Sequence, residues 1–367
     1  MYAVTRADYG PPDRLVIGEV PTPSPKPDEL LVRVRATTVN RTDCGILLGR
    51  PAAIRLFTGL RSPRSSVPGT DFAGDVVAVG SAVRRFAVGD RVWGFDDNGL
   101  ASQAQFLAIA EGAAIAAIPT DVGYDQAAAS AEGSHYALNF MKRAHYRPGQ
   151  RVCVYGATGA IGSAAVQLLA DRGSRVTAFS APGHLDDVAA LGADVVLDYT
   201  TTTPSDLDER FDLFFDAVGK SSFSATRHLL GDDGRYVSSE LGQRAENLVL
   251  PMTTRLRRGP KVDFPFPTGA RDTIARMTRL LAEGRFRPLI DRHFPMAEAV
   301  AAYEYVLTGQ KIGNVILDID GTARRDTPRH SGRGARPPDD RGPSGPTRGD
   351  STVGVCEARR TCGSPPS

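Results

Sequence analysis

Cysteine is scarce in this chain of 367 residues: Cys44, Cys153, Cys356 and Cys362 are all there are, and no two form a Cys-x-x-Cys pair. Neither a disulfide framework nor a thiolate zinc site is suggested, which suits a reducing compartment. Lysine is also sparse, with 5 Lys against 39 Arg, and the cations are scattered along the body. At a net charge of +2 no nucleic-acid partner is expected. No stretch reaches the roughly 18 consecutive apolar residues of a membrane span. The start MYAVTRADYG lacks a basic stretch followed by an apolar run and a small-residue cleavage site. No membrane partner is expected, and the expected location is cytoplasmic.

Apolar residues make up 41% of the chain and charged residues 23%, enough to build the cores of two domains. In IGEVPTPSPKPDELLVRVRATTVN a Pro-rich turn is followed by apolar alternation, and GTDFAGDVVAVGSAVRRFAVGDRVWGF repeats that strand pattern. Residues 1–122 are therefore expected to form an all-β, barrel-like domain. After Pro119 the pattern changes to short apolar runs alternating with amphipathic helices: RVCVYG, AIGSAAVQLLADRG, RVTAFS, HLDDVAALGA, DVVLDY and FDLFFDAVG. Such alternation calls for a parallel sheet covered on both faces, a doubly wound α/β domain over residues 123–260. Residues 261–320 are expected to return to the first domain and complete it. Residues 321–367 contain no Leu, Ile, Phe, Tyr or Trp, and nine Arg against five acids. Burial there cannot offset ordering entropy, so a disordered tail is expected.

The strongest motif is VCVYGATGAIGSAAVQLL, in which Gly156-Ala157-Thr158-Gly159-Ala160-Ile161-Gly162 joins an apolar strand to a helix. Small residues let backbone N–H groups approach a pyrophosphate, and the helix N-terminus adds donors and a favourable dipole. At the tip of the next strand, Ser180-Ala181-Pro182-Gly183-His184 carries no carboxylate to hold a ribose 2′-hydroxyl and repel a 2′-phosphate. Ser180 and His184 could both meet a phosphate, so NADPH is favoured over NADH.

A β-barrel followed by a dinucleotide-binding domain and a returning strand resembles the medium-chain dehydrogenase/reductase superfamily, with a GroES-like barrel and a Rossmann domain. TTVNRTDCG, PGTDFAGDVVAVG, RPGQRVCVYGATGAIGSAAVQ, LGADVVLDY, FDAVGKSSF and LTGQKIGNVIL carry the resemblance, specifically to the zinc-independent quinone oxidoreductase branch. Zinc-bearing members have a Cys ligand where this chain has Asn40, and Gly-His-Glu where it has Gly69-Thr70-Asp71. Asn and Thr are poor zinc ligands, and a catalytic zinc needs three suitable protein ligands. The resemblance implies hydride transfer from NADPH to a quinone or α,β-unsaturated carbonyl, without zinc or any other metal. An alcohol or ketone dehydrogenase of the same fold is the nearest alternative, and a non-catalytic NADPH-binding protein, a sensor or crystallin-like, is another. A homodimer is implied by analogy.

The resemblance also distributes roles. Asn40 lies beside the nicotinamide, although capping the turn after its strand competes with that role. Thr42 is either a hydroxyl relay or a turn residue, Asp43 fixes the local backbone, and Cys44 is a small packed residue. His135 or Tyr136, at the start of an interdomain helix, could donate the final proton; ordinary hydrogen bonding competes for both. Tyr199 approaches the adenosine phosphate, and Ala217, Val218 and Gly219 pass the nicotinamide. Ser239 and Leu241 offer backbone groups to the carboxamide, and Asn314 closes over the cofactor. Arg50, Arg55, Arg61 and Arg64, in a loop expected to wall the substrate pocket, are either substrate contacts or exposed charge.

Overall fold

The computed structural model describes residues 1–242 and 246–320. The expected disordered tail lies outside the described residues.

In the first half, the strand Glu29–Val39 organises a seven-stranded sheet. Its register pairs Leu30–Ala36 with Ala73–Val79, Glu29–Arg33 with Phe106–Ala110, and Ala36–Val39 with Val315–Asp318. One long strand thus serves three partners, and the sheet curls around it. Alternation decides which side faces in: Leu30, Val32 and Val34 are buried with Phe72, Val76, Val92 and Leu107. Ile290–Pro295 and Asn314–Asp318 complete this sheet from the C-terminal side.

The second sheet is wholly parallel and runs Val195–Asp198, Arg175–Ser180, Arg151–Tyr155, Phe211–Asp216, Leu230–Ser238, Lys261–Asp263. In order of occurrence that is 3-2-1-4-5-6, the doubly wound arrangement, whose ligand crevice lies at the carboxyl ends of strands 1 and 4. Both faces are covered, so these strands read as continuous apolar runs; Val152, Val154, Phe214 and Phe215 are fully buried. The strand Lys261–Asp263 corrects the expected boundary at residue 260, since it pairs with Arg235–Val237 in the parallel sheet. Three residues between Gly-Pro and Phe are too short to show a period.

The two sheets do not have separate interiors. One apolar cluster joins Ala36, Trp93 and Phe95 of the barrel to Phe140, Val152 and Phe215. Its bridge is the helix Glu132–Arg143, which rests on Ala160–Ala170 so closely that a Cβ at Gly133 would lie 2.5 Å from the Ala160 carbonyl oxygen.

Candidate active site

At the crevice, Gly156 has φ +86°, and a Cβ there would lie 2.4 Å from the Val218 side chain. Glycine is required on both counts. At Gly162 a Cβ would lie 2.1 Å from the Gly156 carbonyl oxygen, so helix Ala160–Ala170 can sit on the turn only with hydrogen there. Gly159 is the N-cap, and no side chain caps the helix. The bridge between Gly159 and Gly313 engages the Ala160 N–H, and the first-turn N–H groups of Ile161 and Gly162 are left for an anion, which fits a dinucleotide pyrophosphate. Thr158 ties this turn to the returning segment, its carbonyl accepting the Gly313 N–H at 2.7 Å. Ala157 is fully buried, and its N–H bonds the Phe179 carbonyl.

A cleft of about 430 Å³ opens from this turn towards the barrel. Gly159, Ala160 and Ile161 form one wall with Ala217, Val218 and Ser239, while Thr42, Glu132, Tyr136 and Lys311 supply polar groups. The Thr42 and Tyr136 hydroxyl oxygens lie 3.4 Å apart. Burial, with Asp97 and Glu132 nearby, raises the Tyr136 phenol, so it remains protonated and able to donate. Glu132 is 6% exposed, and burial raises its carboxyl to about 7 although hydrogen bonding by Thr42 and the Lys311 charge pull it down. Arg41 and Glu240 pair at 3.2 Å across the rim, both well exposed.

The other expected site residues fall elsewhere. Asn40 is not on the cleft wall: it caps helix Arg41–Leu48, its Oδ1 accepting the Asp43 N–H at 2.8 Å while Asp43 Oδ2 accepts the Asn40 N–H at 3.1 Å. Its Nδ2 donates to Thr70 and Thr38 hydroxyls at 3.1 and 3.3 Å. Asp71 is equally committed, accepting from the Thr38 N–H and from the Thr37 and Thr38 hydroxyls; burial nevertheless lifts its carboxyl to about 6. Asn40, Thr70 and Asp71 therefore satisfy barrel groups, and among the described residues no cluster of three His, Cys, Asp or Glu is arranged to hold a metal. Cys44 is buried, its thiol raised by burial and by Asp43.

His135 also lies behind the wall. It is 1% exposed, with Nδ1 2.9 Å from the Thr273 hydroxyl and Nε2 3.3 Å from Asp97, so the geometry separates it from the cleft that Tyr136 faces. Ser180 is fully buried and donates within its own turn, to the carbonyls of Ala181 and His184. His184 Nδ1 lies 2.9 Å from Asp187, and Tyr199 stands half-exposed beside the same strand tip. Asn314 corrects the expectation of a closing residue: its N–H and its Nδ2 both donate to the Leu289 carbonyl, at 2.9 Å each. From the same segment it is Gly309 and Lys311 that reach the cleft. Leu241 accepts the Asn247 N–H, and Gly219 adopts φ +65° beside Glu240. Of the loop arginines Arg50 lines the cleft, while Arg55 stacks on Tyr9.

Four residues carry more of the site than their sequence context announced. Asp216 ends a parallel strand and accepts the N–H groups of Val218, Gly219 and Ser221 and the Tyr236 hydroxyl, so it shapes the turn that walls the cleft. Glu132, Asp97 and Lys311 come from three distant segments; only Glu132, a carboxylate inside an Ala-rich apolar stretch, stood out locally.

Residues 26–117 match the alcohol dehydrogenase GroES-like domain and residues 191–317 the zinc-binding dehydrogenase family. The quinone-oxidoreductase homolog of Spinacia oleracea is 30% identical, over 87% of this chain and 98% of its own. The chain belongs to the medium-chain dehydrogenase/reductase superfamily. Its zinc-independent quinone oxidoreductase branch fits the residues found at the ligand positions. A second relative of this superfamily, the NADPH-dependent alkenal/one oxidoreductase of Arabidopsis thaliana, is 28% identical over 86% of this chain and 79% of its own. The quinone oxidoreductase structure from Coxiella burnetii superposes with a TM-score of 0.76 over 87% of this chain and 99% of its own, at 24% identity, a likeness of fold.

The superfamily relatives correct the expected cytoplasmic location. The Spinacia oleracea and Arabidopsis thaliana relatives are both chloroplastic, so the absence of a leader pattern in MYAVTRADYG does not assign a compartment. Among the described residues no helix is long and apolar enough to cross a membrane.

Proposed function

We propose that this protein is an NADPH-dependent, zinc-independent reductase of quinones and α,β-unsaturated carbonyls. The observation that carries this reading is the Thr42–Tyr136 hydroxyl pair in the cleft that the glycine turn also lines. Bound NADPH supplies a hydride from C4 of its nicotinamide. The first-turn amides of Ile161 and Gly162 would hold its pyrophosphate, and Ala217, Val218 and Ser239 would border its nicotinamide. Tyr136 would donate to the acceptor's carbonyl oxygen, where negative charge grows, with the Thr42 hydroxyl beside it on the side of the reacting carbons.

Conjugate reduction suits this equipment. Hydride delivered to the β-carbon spreads charge into an enolate, which a neutral hydroxyl donor can hold without a Lewis acid. Asn40 and Thr70 are poor zinc donors and are bonded to each other. For NADPH the support is the strand tip without a carboxylate, together with the name of the Arabidopsis relative. A homodimer belongs to the same reading by analogy.

A screen of NADPH oxidation across quinones, 2-alkenals, ketones and secondary alcohols, with metal content measured on the same sample, tests it. Turnover with quinones or 2-alkenals that persists in chelator is expected. Secondary-alcohol oxidation that vanishes on chelation and returns with zinc would transfer the protein to the dehydrogenase class.

A further inference from the structure

The cleft contains a buried acid and a buried base that hydride transfer does not use. Glu132 opens the helix Glu132–Arg143, and Lys311 arrives from the returning segment 179 positions later; both line the cleft. The Thr42 hydroxyl stands close enough to Glu132 to pull its carboxyl down, and it lies 3.4 Å from the Tyr136 oxygen. Lys311 Nζ donates to the Gly313 carbonyl, which fixes the ammonium beside the glycine turn rather than in solvent. Acid, hydroxyl and phenol therefore form a connected polar strip on one wall of an otherwise largely apolar cleft.

We propose that Glu132, sharing the cleft with Lys311 and acting through Thr42, is the proton source that completes reduction after hydride addition. The inference rests on the enone-reductase reading. Hydride from NADPH carries two electrons to the β-carbon, oxidising the cofactor and leaving an enolate. The Thr42 O–H bond breaks as a C–H bond forms at the α-carbon, and Thr42 takes the Glu132 proton. Glu132 is left as a carboxylate whose charge Lys311 offsets, and solvent reprotonates it. One enone, one NADPH and one proton give one saturated carbonyl and one NADP⁺.

A proton source must be protonated near working pH, and several groups act on Glu132. Lys311 favours its ionised form; Asp71, Asp97, Asp43, Tyr136 and Cys44 act against additional negative charge. Burial is the largest influence and favours the neutral acid. Activity limited by this proton therefore falls as pH rises through about 7. The lysine's own basicity is lowered by burial and restored in part by Glu132, the behaviour of a pair that titrates jointly.

The test uses the full chain with NADPH and an α-methyl-substituted 2-alkenal, so that protonation creates a stereocentre. Wild type is expected to lose kcat as pH rises through neutrality and to give mainly one α-configuration. Glu132→Gln keeps a hydrogen-bonding partner for Thr42 but cannot supply the proton. It is expected to lower kcat roughly a hundredfold, to remove the pH limb and to give near-racemic product. Lys311→Met is expected to move the limb to higher pH, because the remaining acid holds its proton longer. A readout without cofactor is the infrared difference between wild type and Glu132→Gln at pH 6, expected to show a protonated-carboxyl band beyond that of the buried Asp43 and Asp71, which both proteins share. A Glu132→Gln variant that retains the limb and the stereochemical bias overturns the inference while leaving the reductase reading intact. Wild type inert towards every enone sinks the reading beneath it, and the inference with it.

Discussion

Gly162→Ala is expected to reduce dinucleotide affinity at least a hundredfold and to destabilise the fold by about 2–4 kcal/mol. The added methyl would lie 2.1 Å from the Gly156 carbonyl oxygen, 2.8 Å from its carbon and 2.9 Å from the Ala157 Cα. All three are backbone atoms of the turn, with no rotamer to relieve the clash, so helix and turn must separate. A hundredfold loss is about 2.7 kcal/mol of binding, well within what losing the aligned N–H groups removes. Gly159→Ala is the internal control. Its backbone sits at φ −75°, and a Cβ would find its nearest neighbour 3.6 Å away. Stability should change by no more than about 1 kcal/mol while affinity still falls, because the methyl stands where the pyrophosphate must approach. Denaturant unfolding and NADPH fluorescence titration on both variants separate the two effects.

Asp216→Ala should produce the next largest loss, about 3–5 kcal/mol of stability with weakened NADPH binding. Three backbone N–H groups, at 2.8 to 3.2 Å, and the Tyr236 hydroxyl at 3.0 Å all converge on this fully buried carboxylate. Removing the acceptor leaves several buried donors unpaired, at about 1–3 kcal/mol each, relieved only in part by water entering the cavity. Ala217 and Val218 follow directly and wall the cleft, so a loosened turn is also a misplaced nicotinamide site. Asp216→Asn keeps one acceptor oxygen but introduces an NH₂ that faces other donors, and should fall between alanine and wild type. An alanine variant as stable as wild type would show that the turn holds itself.

The division between what was legible in the sequence and what was not follows the range of the interactions. The glycine turn was legible because strand, turn and helix are contiguous and each carries its own pattern. The parallel sheet was legible for the same reason: VCVY within one strand and LFF within another are unbroken apolar runs because both faces are covered. The proton-bearing wall was not. Thr42, Asp97, Glu132 and Lys311 converge only after the returning strand Asn314–Asp318 has paired with Glu29–Val39. Asn314 shows the converse error: it follows the family pattern in sequence, but its amide is taken up by the Leu289 carbonyl. For Asn40 the capping alternative was visible, since Asn followed three residues later by Asp precedes a helix-compatible stretch. His135 and Tyr136 are adjacent in sequence, and helix geometry turns them to different surroundings, one into the core and one into the cleft.

The central claim, conjugate reduction in a cleft that relies on hydroxyl donors, is tested most directly by where the hydride lands. With NADPH deuterated at the transferred C4 position and a 2-alkenal in ordinary water, product analysis by NMR should find deuterium on the β-carbon and none on the carbonyl carbon. Deuterium on the carbonyl carbon, giving an allylic alcohol, would contradict the account and identify the site as that of a carbonyl reductase.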